Sequence, residues 1–203
     1  SVVRIDREAE IRIQKGSLYE PILLHPERFE MPQSHTGLVV LSPAYRFLEP
    51  TTPLYSPALV TIRAQVEPRL RLHTVLAGRS RKGWLYLVGG TYSNGAVTAV
   101  TRTTGEMLVV ADTLAPTIRP LFTPGANLSG SDALRFRVSD NFAGVASWTL
   151  RIDGEWRVCD RFPMKGTLVH FFDTPATRRK HTVELTVRDA CGNTARYTGS
   201  FVR

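Results

Sequence analysis

An all-β protein of two tandem β-sandwich domains, the second immunoglobulin- or fibronectin-III-like, is what the sequence predicts. Three observations carry that prediction. Short alternating or β-branched runs recur every 8 to 15 residues, with almost no helical period. Fifteen glycines and thirteen prolines punctuate those runs. The length of 203 residues exceeds what one ordinary domain of about 100–150 residues needs, and roughly suffices for two.

Residues 1–15 alternate apolar Val3, Ile5, Ile11 and Ile13 with charges. They read either as the last strand of an absent upstream domain or as an edge strand of the first one. Residues 16–113 form the first β-sandwich domain, with strands expected at 18–24, 38–41, 59–64, 70–76, 84–88, 96–101 and 107–111. Within Tyr92-Ser-Asn-Gly-Ala96 lies the Asn-Gly pair that favours a type I′ hairpin turn. The proline-rich stretch 43–57 must be loop or edge, because proline gives the ladder no donor. Val88-Gly-Gly-Thr91 lacks the lysine and following helix of a phosphate loop and reads as a bulge or turn.

Pro116, in Asp112-Thr-Leu-Ala-Pro-Thr-Ile118, forbids a helix and stiffens a short hinge, so the second domain spans 114–203. About seven strands are expected there, at 118–122, 133–139, 148–152, 156–159, 168–172, 181–188 and 194–202. The clearest is His181-Thr-Val-Glu-Leu-Thr-Val-Arg188, which would turn Val183, Leu185 and Val187 to a core. Asp189-Ala-Cys-Gly-Asn193 then turns the chain into the last strand.

The chain carries 26 basic and 18 acidic residues, a net charge of +8 that favours anionic partners. The cations are scattered between the two halves rather than gathered in an arm, and Arg178-Arg179-Lys180 reads as a solvated loop. Nucleic-acid binding would need a recognition helix, a zinc module or clustered exposed aromatics, and none is legible. The longest apolar runs, 38–41 and 107–111, fall far short of the roughly 20 residues of a membrane-spanning helix, so no transmembrane segment is expected. The chain opens on Ser1 without a basic-then-apolar leader, which points to a fragment of a longer polypeptide.

Chemistry is sparse. The five histidines, at 25, 35, 73, 170 and 181, show no zinc-ligand spacing. His170 and Asp173, three apart, would fall on opposite faces of a strand. No Gly-x-Ser-x-Gly elbow is present. Cys159 and Cys191 are either an intradomain disulfide or two buried thiols. Asp140, Asp153, Asp160 and Asp189 sit at strand ends, where aspartate closes its own backbone; the competing reading is a calcium site. Trp84, Tyr86, Tyr92 and Trp156 are candidate glycan contacts, against the alternative that they and Trp148 fill the core.

Several segments look familiar. Ser139-Asp-Asn-Phe-Ala-Gly-Val145, Ile152-Asp-Gly-Glu-Trp156 and the run from His181 into Asp189-Ala-Cys-Gly-Asn193 resemble the D-N-x-S-G-[IV], I-D-G-x-W and H-x-[LV]-x-[LV]-x-V-x-D-x-x-G-N pattern of bacterial Ig-like domains appended to secreted proteins. The junction, from Arg102 to Ile118, resembles the R-x-x-G-x-[FY]-x-[LV]-x-x-D-T-x-P-P-x-I segment that joins two β domains downstream of the catalytic domain in some lysostaphin-type (LytM-like) zinc peptidases of the bacterial cell wall. Pro53-Leu-Tyr-Ser-Pro-Ala-Leu-Val60 matches a P-L-x-x-P-x-x-[LVI] element of their first β unit. Ala143 and Ala115 stand where Ser and Pro are commoner.

The resemblance covers roughly residues 16–203 and implies an extracytoplasmic location close to peptidoglycan. The catalytic hallmarks of that family, His-x-x-x-Asp and His-x-His, do not occur, so no catalytic residue carries over. The expectation is a non-catalytic accessory region, without metal or cofactor, whose partner is an upstream catalytic domain of the same polypeptide. The competing expectation is a stand-alone binding module for peptidoglycan, an acidic envelope glycan or a protein. A free-standing enzyme would need histidines and carboxylates gathered from distant strands.

Overall fold

The computed structural model describes residues 1–35 and 37–203. They form two compact units, Ser1–Leu114 and Ala115–Arg203, both built from antiparallel strands.

In the first unit the strands among the described residues are β1 (Val2–Ile5), β2 (Ala9–Arg12), β3 (Glu27–Phe29), β4 (Ser34–His35), β5 (Leu38–Val40), β6 (Ala44–Arg46), β7 (Ala58–Arg63), β8 (Thr74–Arg79), β9 (Leu85–Gly89), β10 (Thr91–Ser93), β11 (Ala96–Thr101) and β12 (Glu106–Asp112). One sheet runs β1-β2-β7-β11-β10. In the other, β12 is central: β5 and β6 share one flank, and β8 followed by β9 takes the opposite one.

Alternation explains the layers. In β7, Ala58, Val60 and Ile62 are buried while Leu59, Thr61 and Arg63 face outward. They pack with Ile11 and Val97 of the same sheet against Tyr45, Leu76, Met107 and Val109 of the second sheet, giving one core between two layers. Residues 1–15 supply the hairpin β1–β2, whose second strand pairs with β7. They therefore belong to the first unit, which begins at Ser1 rather than at residue 16.

Two expected strands are not formed as read. Residues 18–24 make only a single bridge, Leu18 to Leu54; Pro21 removes a ladder donor, and Leu18, Ile22 and Leu24 lean on the core from a loop. Residues 70–76 divide: Pro68, with φ already set for a helical turn, starts a 3-10 helix over Pro68–His73, and β8 begins only at Thr74. The hairpin β10–β11 forms as expected, with Ser93 facing Ala96 and left-handed φ at Asn94 (50°) and Gly95 (79°). Gly89 and Gly90, both with positive φ, lie where β9 leaves β8 through a register shift.

The second unit comprises β13 (Thr117–Pro120), β14 (Ala133–Ser139), β15 (Val145–Ile152), β16 (Glu155–Arg157), β17 (Asp160–Phe162), β18 (Thr167–Phe171), β19 (Lys180–Asp189) and β20 (Thr194–Val202). Its sheets run β13-β14-β18-β17 and β16-β15-β19-β20. Lettered in chain order, these are ABED and C′CFG, the immunoglobulin-type arrangement. In this unit the strand missing from the sequence reading is β17, whose three residues are all exposed and so carry no burial alternation.

Leu134, Phe136, Leu150, Leu168, Leu185 and Phe201 are fully buried between these sheets. Each such side chain stabilises the fold by roughly 1.5–3 kcal/mol, whereas an exposed ion pair gives about 0.2–1 kcal/mol. The core, not the scattered surface Arg–Glu pairs, therefore holds each sandwich together.

One polar contact ties the two layers of the first unit. Tyr45, fully buried on β6, donates its hydroxyl to Glu8 in the β1–β2 turn at 2.6 Å. Burial, then the Glu8 carboxylate, push the Tyr45 hydroxyl well above the ordinary tyrosine range. The folded state thus holds this proton more tightly than the unfolded chain. Its contribution is complete below the ordinary tyrosine pKa of about 10 and is lost as pH climbs beyond it. Tyr45→Phe is expected to lower stability by roughly 1–2 kcal/mol in denaturant titrations at neutral pH, and to weaken the loss of stability above about pH 10.

Candidate functional site

The most elaborated surface of the second unit is a groove of about 590 Å³ at one end of the sandwich. It arises where three chain segments meet: the β15–β16 turn, the segment from β18 into β19, and the end of β20. Asp153 opens the tight turn with φ 52°, a conformation that aspartate tolerates, and Gly154 follows at 81°. The turn is fastened to β19. Asp153 donates its own N–H to the Thr182 carbonyl at 3.0 Å, and its Oδ1 accepts the Thr182 N–H at 2.8 Å. Its Oδ2 lies 2.7 Å from His181 Nδ1 and 3.4 Å from the Arg179 guanidinium. Burial raises the Asp153 carboxyl, but the Thr182 backbone and His181 outweigh it and hold the group below the usual carboxylate range.

Rings line the groove in sequence. His181 stacks on Phe201 at 5.2 Å, Phe201 meets Phe172 at 5.8 Å, and Phe172 meets His170 edge-on at 5.6 Å. Arg203 lays its guanidinium 4.0 Å above the Phe172 ring and donates Nη1 to the Thr174 carbonyl at 2.5 Å. His170 is buried, and its Nδ1 lies 2.7 Å from the Val158 carbonyl; since a carbonyl only accepts, that nitrogen carries the proton. A neighbouring hollow of about 380 Å³ shares Arg157, His170 and Asp173 with the groove and adds the exposed Trp156 and Phe171.

The four candidate aromatics do not form one platform. Trp84 and Tyr86 belong to the first unit, Trp84 just before β9 and Tyr86 on it, and Trp84 is 64% exposed. Tyr86 lies flat on the sheet: a Cβ on its cross-strand partner Gly78 would meet the ring at 2.3 Å, so a side chain there would displace the tyrosine ring. Burial of that kind raises the Tyr86 hydroxyl. Tyr92 is drawn inward against the core, its hydroxyl 3.4 Å from the Ala64 carbonyl. Only Trp156, 60% exposed on β16, lies beside the groove. Trp148 packs on the core and donates Nε1 to the Cys159 carbonyl at 2.7 Å.

The expected separation of His170 and Asp173 does not hold. β18 ends at Phe171, so the chain has left the pleat before Asp173 and both residues line the groove. Arg179, read as part of a solvated loop, is a groove residue too. The missed groove residues Phe172, Arg179, His181 and Arg203 have no spacing signal, since they converge from three stretches of chain: the exit of β18, the start of β19 and the residue after β20.

Two of the four strand-end aspartates, Asp140 and Asp189, close their own turns as expected, whereas Asp153 reaches across to β19. Asp140 Oδ2 accepts the N–H groups of Phe142 and Gly144 at 3.0 and 2.8 Å. Asp189 accepts the backbone N–H and side-chain amide of Asn193, both at 2.8 Å. Carboxylate oxygens of Asp140 and Asp189 come within 4.8 Å of one another, and Asp153 and Asp160 do not join them.

Cys159 and Cys191 are two thiols rather than a bridge. Cys191 is buried in the turn before β20, while Cys159 lies in the connection between β16 and β17 and packs partly on the core. Burial, then the nearby Asp160, push the Cys159 thiol up to about 12.

The Zu5-like domain family matches residues 3–112, which is the first unit from β1 through β12. A comparison with curated proteins finds no match. The thiol assignment has a direct test. Without reductant, the folded chain is expected to react with a thiol reagent slowly at neutral pH, and the unfolded chain to release two thiol equivalents; none would mean a bridge.

Proposed function

The chain belongs to the Zu5-like domain family by way of its first unit, and we propose that it works as a non-catalytic binding region, attaching a larger extracytoplasmic protein to an acidic glycan of the cell envelope. The observation that carries this reading is the same in both units: an exposed tryptophan beside exposed cations. Trp84 follows Arg81 and Lys82 in the β8–β9 connection, and Trp156 precedes Arg157 on β16, an exposed cation shared with Glu155. An indole face suits the apolar face of a sugar ring, and neighbouring cations pair with its acidic groups. The net charge of +8 adds a long-range attraction of the same sign.

A narrower context is proposed from resemblance alone. The junction at 102–118 and the turn motifs of the second unit resemble the region downstream of the catalytic domain in lysostaphin-type zinc peptidases. In that setting the region would position an upstream peptidase on peptidoglycan. A preceding domain bearing His-x-x-x-Asp and His-x-His would support this parentage, and a different preceding domain would contradict it.

The binding reading is tested by co-sedimentation of the chain with purified cell walls across a salt series. Retention at about 20 mM salt that falls steeply by about 500 mM is expected, because screening shortens the reach of surface charge from over 20 Å to a few ångströms. Replacing Arg81 and Lys82 with glutamine should weaken retention without unfolding the chain, since both are exposed. No retention at the lowest salt would remove the reading.

A further inference from the structure

We infer that the groove of the second unit is a binding site for a carboxylated sugar, with Arg203 receiving the carboxylate. The inference rests on the glycan reading above, but commits to one site and one chemical class. Its size is right for one sugar ring, since small-ligand sites measure about 300–1,000 Å³ and this one about 590 Å³.

Charge selects the residue. Three guanidiniums line the groove, yet two of them already face carboxylates: Arg157 reaches Glu155 at 2.6 Å, and Arg179 reaches Asp153 at 3.4 Å. Arg203 has no ion-pair partner among the described residues. It is also held in place. Its plane rests on Phe172, one Nη donates to the Thr174 carbonyl, and its backbone pairs in both directions with that of Arg179 at 3.0 Å. Its Nε is buried, so a guanidinium fixed in this way offers a carboxylate its Nη hydrogens end-on, in an orientation set before binding.

The rest of the groove chooses among anions. Asp153 and Asp173 line it as well, and these two carboxylates disfavour a ligand of higher negative charge such as a phosphate dianion. A single carboxylate surrounded by neutral hydroxyls fits that balance. Because His170 gives its Nδ1 proton to the Val158 carbonyl, Nε2 is the ring nitrogen left to meet a sugar hydroxyl. Asp173 accepts from a second hydroxyl. Phe172, only partly buried and capped on one face by Arg203, supplies the apolar border of the groove for the C–H face of the sugar. The adjoining hollow, with Trp156 and Phe171 exposed, continues the same chemistry for a second sugar unit, which makes the ligand an acidic oligosaccharide.

The test is a titration of the full chain, followed by amide and side-chain NMR shifts, with glucuronate, glucose and glucose 6-phosphate as separate probes. Glucuronate should bind in the millimolar range and shift the signals of His170, Phe201 and Trp156, with glucose and glucose 6-phosphate each about tenfold weaker or more. Arg203→Gln should weaken glucuronate about tenfold and leave glucose unchanged, while Arg203→Lys, which keeps the charge but not the paired Nη groups, should fall between. An unchanged fold, read from the dispersed amide spectrum, makes each variant interpretable.

The inference is overturned if glucuronate leaves the groove signals unmoved, if glucose binds equally well, if the phosphate ester binds better, or if Arg203→Gln changes nothing. Its failure is separable from that of the broader reading. Chain that still sediments with walls while the groove ignores glucuronate loses the site and keeps the wall attachment; glucuronate binding without sedimentation loses the wall attachment and keeps the site.

Discussion

One carboxylate, that of Asp153, closes the end of the second sandwich on which the groove stands. It sits in a left-handed turn, accepts from Thr182 and faces His181, so that β15, β16 and β19 are fastened at one point. His181 in turn stacks on Phe201, and the ring contacts continue to Phe172 and Arg203. Hydrogen bonds to a charged acceptor are worth roughly 1.5–3 kcal/mol each, above the usual contribution of an exposed ion pair. The direction of the Asp153 shift agrees with this: burial alone would raise its pKa, and the contacts reverse that. Stability drawn from it is present above the ordinary carboxylate range and is lost as pH falls through the lowered value.

The two kinds of constraint divide the work. Apolar alternation decides that the chain forms layers in both units, with the Tyr45–Glu8 hydrogen bond as a polar tie in the first. Turn carboxylates decide how strand ends are placed: Asp140 and Asp189 each bind backbone N–H groups within their own turn, whereas Asp153 reaches across to another strand. That difference makes the Asp153 end a place where side chains from several strands can be held in fixed relation. A surface that positions an arginine and an imidazole over aromatic faces can discriminate among ligands, which a flat field of solvated charge cannot.

How much of this was legible follows from the physics of each signal. Strands with one buried face, such as β7, β11 and β19, announce themselves by period two. β17 does not, because nothing on it is buried. Residues 18–24 have the apolar count of a strand but a proline within, and the proline decides. Pro68 similarly converts the start of an expected strand into a helical turn. Residues 1–15 were open between two assignments in sequence, and pairing of β2 with β7 resolves them.

The site was less legible than the fold. Trp156 was identifiable as an aromatic in a turn motif, but its neighbours in space, His170 and Asp173, were separated by treating the pleat as continuous past Phe171. Asp153 and His181 both lay in recognisable segments, yet their 2.7 Å contact joins residues 28 apart and has no counterpart in local spacing. The most direct measurement of the clasp is hydrogen exchange at the Thr182 amide in the native chain and in Asp153→Gly, where glycine keeps the left-handed turn and removes only the carboxylate. Strong protection in the native chain and its loss in the variant, with the β19 core amides unaffected, is the predicted result; equal exchange at Thr182 in both would contradict the account.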